Sequence, residues 1–267
     1  MRIVKTNILD TLDTLRWARD AGTVKHFDMS TDKAQNPANL MGATKRIMEA
    51  VIFGHSGSTA VSTARLVNVA FSDGSLLADF RQRLLLGQPL AATSDIRCYF
   101  VTGKESGLLC LASIVLGRDR EIFFSDLDAA TGLLTFAEIA IRFLEADGMT
   151  SVLVKCEDEA RGRAEELIAQ RRWPCYFFAS DTSREKPFEE FYAPDDAIDW
   201  SRFADVGVIA RPVPDAAVAA RAADFLAGVS ALRHAWQRSK KDLVTLIATA
   251  CPELDHIDTG RSLDHRM

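Results

Sequence analysis

Apolar side chains at Ile8, Leu12, Leu15 and Ala18 recur at helical spacing and predict an amphipathic helix over 4–21, with Gly22 as its C-cap. Residues 24–29 read as a short buried strand that runs into the polar cluster Ser30-Thr31-Asp32-Lys33. Asn36-Pro37-Ala38-Asn39 carries turn and helix-start chemistry, and a helix is predicted over 40–53. The β-rich run 64–71 predicts a second buried strand, followed by a helix over 76–86, an extended piece at 89–91, a strand at 98–101 and a helix over 105–116. The alternation continues with strands at 121–124, 152–154 and 174–178 and helices at 136–144 and 157–170. An acidic, aromatic stretch over 183–199 breaks the pattern, and helices at 215–233 and 240–250 close the chain. Strand–turn–helix alternation is α/β logic and favours a parallel sheet.

Composition narrows the function classes. The 267 residues carry a formal net charge of −5, which argues against nucleic acid or an anionic membrane as the main partner. No apolar run approaches the roughly 20 residues of a membrane helix, and the first residues have no signal-peptide core, so no membrane span and a cytoplasmic location are expected. The five cysteines are scattered without a C-x-x-C pair, and the five histidines lack ligand spacing, so neither a disulfide framework nor a metal site is expected.

The chemistry concentrates at residues 30–45. Ser30, Thr31, Asp32 and Lys33 sit where a buried strand ends, and open α/β sheets bind ligands outside the carboxyl ends of their strands. Asp32 beside Lys33 is a candidate acid/base pair, since opposite charges tune each other's proton affinity. A loop that merely caps the next helix is the structural alternative. Met41 and Lys45 then stand one helical turn apart on one face.

Ser30-Thr31-Asp32-Lys33-Ala34, Asn36-Pro37 and Asn39-Leu40-Met41-Gly42-Ala43-Thr44-Lys45 together resemble the active-site segment of extended short-chain dehydrogenase/reductases. More narrowly they resemble the inverting UDP-N-acetylglucosamine 4,6-dehydratases and the related CapD-like polysaccharide-biosynthesis proteins. The likeness runs on through Arg65-Leu66-Val67-Asn68-Val69, Ser72-Asp73-Gly74-Ser75 and the segment 96–102, and covers about residues 1–145. It implies a partial Rossmann-like parallel sheet with a C-terminal α/β extension on the substrate side, divided as 1–72 and 73–267. It implies a lyase of surface-polysaccharide biosynthesis that uses NADP (or NAD) on a UDP-sugar, acting as a homo-oligomer. A nucleotide-sugar 4-epimerase and a catalytically impaired, nucleotide-sugar-binding remnant are the alternatives.

By the same resemblance Thr31, Asp32, Lys33, Met41 and Lys45 form the catalytic set. Asn7, Ser30, Lys45 and Asn68 would hold the cofactor, and Asn68, Ser72, Gly74, Ser75 and Arg97 the nucleotide sugar. Three departures stand out. Met41 occupies the usual place of a tyrosine, and a thioether cannot take a proton, which shifts proton transfer to Asp32, Lys33 or water. The diphosphate arginine would fall at Cys98, so Arg97 is offset by one residue, and in a strand that offset points a side chain to the opposite face. No G-x-G-x-x-G phosphate loop occurs in these residues. The resulting expectations are a truncated version of a longer protein, and an exposed apolar sheet edge at the strands carrying Met29 and Val67.

Overall fold

A computed structural model describes residues 1–127, 133–180, 190–234 and 239–255. Residues 183–189 of the expected excursion, and His256 and His265, lie outside the described residues. The described chain is α/β and forms two units, each built from separated segments: residues 1–66, 106–126, 190–234 and 239–255 in the first, and 67–105, 127 and 133–180 in the second. Later strands return to the first unit because they pair with its early ones.

In the first unit, helical turns at α1 (Arg2–Val4) and a π-turn (Lys5–Leu9) lead into α2 (Asp10–Asp20). The predicted apolar stripe is buried at Ile8, Leu12 and Leu15, and Gly22 closes the helix at φ 71°. Then come β1 (Lys25–Thr31), α3 (Leu40–Gly54) and β2 (Ala60–Leu66). Asn39 starts α3 by accepting the Gly42 N–H at 3.0 Å. The buried residues Ala43, Ile47, Met48, Val51 and Ile52 make its core face.

The second unit follows, with β3 (Asn68–Val69), α4 (Leu76–Leu85), β4 (Leu90–Thr93), β5 (Arg97–Cys98) and β6 (Phe100–Val101). Helix α5 (Gly103–Leu116) leads to β7 (Glu121–Ser125) of the first unit. Next in the second unit are β8 (Leu134–Thr135), α6 (Phe136–Ala146), β9 (Thr150–Leu153), α7 (Glu157–Gly162), α8 (Ala164–Ala169) and β10 (Arg172–Phe178). The first unit is completed by β11 (Ile198–Asp199), β12 (Val206–Ala210), α9 (Ala216–His234) and α10 (Lys240–Ala250).

The first unit's sheet has the order β1-β2-β7-β12-β11. β1, β2 and β7 are mutually parallel, with Ser30 opposite Arg65 and Thr31 opposite Leu66. This is the expected partial parallel sheet; β12 extends it antiparallel to β7, and β11 pairs antiparallel with β12. β12, a five-residue strand, has no counterpart among the elements expected from the sequence. The second unit holds a parallel sheet, β4-β10-β9, over a core that includes Phe80, Leu90, Leu144, Trp173 and Cys175.

Three further boundaries differ. The strand expected at 64–71 begins at Ala60 and breaks at Val67, because β2 pairs with β1 and β7 whereas Asn68 and Val69 pair with Phe100 and Val101. The strand expected at 98–101 splits for the same reason: Arg97 and Cys98 pair with Thr135 and Leu134. The charged helix at 157–170 is interrupted at Arg163.

The apolar edge is corrected as well. Val67 is buried just after β2, and β2 is flanked by β1 and β7, so of these two strands only β1 lies at an edge of the sheet, whose other edge is β11. Met29 is half exposed there, but a His26 Nε2–Asp28 Oδ2 contact of 2.7 Å gives that strand polar character.

Candidate active site

Thr31 ends β1 in extended backbone and caps the 3-10 turn Asp32–Ala34, its Oγ1 accepting the Lys33 N–H. The same hydroxyl donates to Asp32 Oδ1 at 2.7 Å. Lys33 Nζ reaches both Asp32 oxygens, at 3.2 and 3.4 Å. The pair is asymmetric, because the Asp32 side chain is 3% exposed and that of Lys33 33%. Asp32 is thus a held carboxylate, and Lys33 carries its ammonium outward.

Gly42 makes this placement possible. A Cβ there would stand 2.1 Å from the Lys33 carbonyl oxygen, so the first turn of α3 can press onto the 3-10 turn only with glycine at this position. Lys45, one turn after Met41, donates from Nζ to the Met29 carbonyl oxygen at 2.7 Å and lies 3.7 Å from Met48 Sδ. Burial pushes the Lys45 pKa below its ordinary value, while Asp28 and Glu49 pull the other way. Asn7 donates to Thr44 Oγ1 at 2.9 Å, and Thr44 donates to the Met41 carbonyl, so Asn7 fixes the turn of α3 that carries Met41 and Lys45.

Beneath this segment lies a buried ionic network that sequence reasoning missed. Ser30 donates to Glu49 Oε1 at 2.7 Å. Arg65, fully buried, grips Glu49 with Nε at 3.0 Å and Nη2 at 2.7 Å, and its Nη1 reaches Gln35 Oε1 at 3.1 Å and the Phe191 carbonyl. Burial alone would raise the Glu49 pKa, but the Arg65 guanidinium, with Arg46 and the Ser30 hydroxyl, holds it below the usual carboxylate value. A signal was present in the sequence: Glu49 interrupts the apolar run 47–53, and Arg65 interrupts an apolar strand.

The structure brings Asn7, Ser30, Thr31, Asp32, Lys33, Met41 and Lys45 together in the first unit. Asn68, Ser72, Gly74, Ser75 and Arg97 belong to the second, where most have evident structural duties. Asn68 donates to the Tyr99 carbonyl at 3.3 Å, Ser72 Oγ donates to the Val69 carbonyl at 2.9 Å, Gly74 turns at φ 74°, and Ser75 caps α4. Arg97 is exposed and Cys98 is 2% exposed, so the two alternate across the strand as the offset implied.

The Lys45 ammonium has three donors, one committed to the Met29 carbonyl and one directed at the Met48 thioether, which leaves a third for a ribose hydroxyl at the strand's carboxyl end. The residues therefore fit the nicotinamide-ribose end of the cofactor. These 267 residues contain no glycine-rich loop for its pyrophosphate.

Comparison with known proteins agrees with this segment. The chain is 34% identical over 143 residues to the capsular polysaccharide biosynthesis protein CapD of Staphylococcus aureus, covering 52% of this chain and 24% of CapD. It is 32% identical over 157 residues to the probable polysaccharide biosynthesis protein EpsC of Bacillus subtilis, covering 58% of this chain and 26% of EpsC. The chain thus spans about a quarter of the length of these relatives. Among solved structures, Pen from Bacillus thuringiensis matches with a TM-score of 0.62 at 19% identity, over 78% of this chain and 58% of that one, which shows a shared fold. The family model described as polysaccharide biosynthesis protein matches residues 1–162, and the chain belongs to that family.

Proposed function

We propose that this chain carries the catalytic segment of a nucleotide-sugar 4,6-dehydratase acting on UDP-N-acetylglucosamine or a close UDP-sugar in polysaccharide biosynthesis. The observation that carries this reading is the Thr31–Asp32–Lys33 arrangement, a buried carboxylate tied to an outward ammonium at the carboxyl end of β1. Family membership and the likeness to CapD and EpsC support it.

The cofactor, NADP or NAD, would supply reversible hydride acceptance at sugar C4, with Lys45 on its ribose. Oxidation at C4 makes the C5 proton acidic. Asp32 and Lys33 then remove that proton and protonate the departing C6 hydroxyl, so that water leaves. The cofactor would give the hydride back at C6, and the Asp32–Lys33 pair returns a proton to C5, for a 4-keto-6-deoxy sugar. Thr31 positions Asp32 through its 2.7 Å hydrogen bond, and Ser30 faces inward to Glu49 as a structural support. Met41 takes no proton, and leaves the transfer at the C4 hydroxyl to Asp32, Lys33 or water. Asn68, Ser72, Gly74, Ser75 and Arg97 are proposed to contact the nucleotide sugar.

The test uses the protein as encoded in its full gene, with UDP-N-acetylglucosamine and NADP. A 4-keto product is expected, together with its loss in Lys33→Ala at unchanged circular dichroism. Full activity in that variant would remove Lys33 from the chemistry.

A further inference from the structure

A cavity of about 290 Å³ opens in the first unit between α3, the segment that follows β12, α9 and the end of α10. It sits beside α3 residues other than Met41 and Lys45. Phe53 and Ala50 of α3, with Val218 and Ala222 of α9, give it an apolar wall. Arg46 and Arg221 enter it from two different helices.

Their charges are weakly answered by the protein. The ion pair of Arg46 is a long one, 3.9 Å to Glu49, a carboxylate already gripped by Arg65. Arg221 Nε is buried and finds no acceptor among the described residues. The third arginine of the lining, Arg211, is taken up by both oxygens of Asp196. Of the lining carboxylates, Asp215 accepts the Val218 N–H as the cap of α9, and Glu253 accepts from the Cys251 thiol. Two guanidinium-bearing side chains in the lining of an apolar-walled cavity suit a planar or tetrahedral oxyanion with an apolar body.

We infer that this cavity is a binding site for a small amphiphilic anion, in which Arg46 and Arg221 hold a phosphate or carboxylate and Phe53, Val218 and Ala222 pack its apolar part. The site stands on its own residues and does not depend on the function proposed above. One wall is Glu49, which also accepts from Ser30 and Arg65.

The test is an amide-resolved NMR titration of the intact protein with phenyl phosphate, benzoate and the uncharged benzyl alcohol. Saturable shifts are expected at Val218, Ala222 and Phe53 with phenyl phosphate or benzoate, and the stronger of the two identifies the head group. Arg221→Gln and Arg46→Gln should each weaken binding roughly tenfold or more, the loss expected for one charged hydrogen bond. Glu253→Gln should strengthen it by removing a competing negative charge. Every variant is checked for an unchanged dispersed spectrum, and Glu253→Gln keeps the test decisive even if an arginine variant unfolds. The inference is overturned by the absence of saturable shifts with both anions, by equal binding of benzyl alcohol, or by indifference to all three substitutions.

Discussion

Glu49→Gln is the sharpest perturbation of the network that supports the site. The amide keeps an oxygen for the Ser30 hydroxyl but removes the anion facing a fully buried Arg65. Leaving one partner of a buried pair uncompensated costs about 3–5 kcal/mol, most of it the desolvated guanidinium. The remaining Arg65 acceptors, Gln35 Oε1 and the Phe191 carbonyl, are neutral and cannot replace the charge. The loss should be read by urea-dependent hydrogen exchange at α3 and β2 amides, which assigns it to the first unit. The pH dependence follows from the sign of the shift. Because the folded Glu49 pKa is depressed, its stabilisation is fully present above the unfolded value of about 4.3 and is lost as pH falls through the lower folded value. Glu49→Gln should erase that acid-side dependence. The double variant Glu49→Met, Arg65→Met should cost less than the sum of its singles by about 2 kcal/mol or more. A loss below about 1 kcal/mol in Glu49→Gln, or simple additivity in the double variant, would refute this account of the pair.

Gly42→Ala should displace the 3-10 turn: overpacking costs about 1–3 kcal/mol, against a helix gain of about 0.5–1 kcal/mol. Product formation should fall roughly tenfold to a hundredfold as Lys33 moves, and wild-type kinetics in this variant would contradict the close-approach reading. Lys45, its pKa lowered chiefly by burial, should titrate below the exposed lysines when reductively methylated protein is followed by carbon-13 NMR. Since the unfolded state binds its proton more tightly, stability at this site should rise with pH from the lowered value towards about 10.4; a Lys45 signal titrating with the exposed lysines would refute this. Cys175 and Cys251, whose thiols are pushed up to about 12 mainly by burial, should resist a thiol reagent at pH 8 in the native protein, while exposed Cys156 reacts. Equal labelling of all three would show that those interiors open.

Much of the local structure was legible in periodicity. The Ile8–Leu12–Leu15 stripe, the Asn39 cap and the helix after it each follow from contacts within a few residues. Tertiary pairing was not legible. Val67 breaks a β-rich run because its two halves join different partners, and no local signal says so. β12 was missed because its strand character depends on packing beside β7. At the site, the Ser30-Thr31-Asp32-Lys33 motif and Lys45 could be read directly. The Glu49–Arg65 pair needed two opposite charges, 16 residues apart, to be recognised as buried in neighbouring elements.

Turnover in deuterium oxide tests the central claim most directly. With UDP-N-acetylglucosamine and the full-gene protein, proton removal and return at C5 by Asp32 and Lys33 predict a 4-keto product carrying one solvent deuterium at C5, and no such product from Lys33→Ala. A product epimerised at C4 without solvent deuterium, or deuterium incorporation undiminished in Lys33→Ala, would contradict the account.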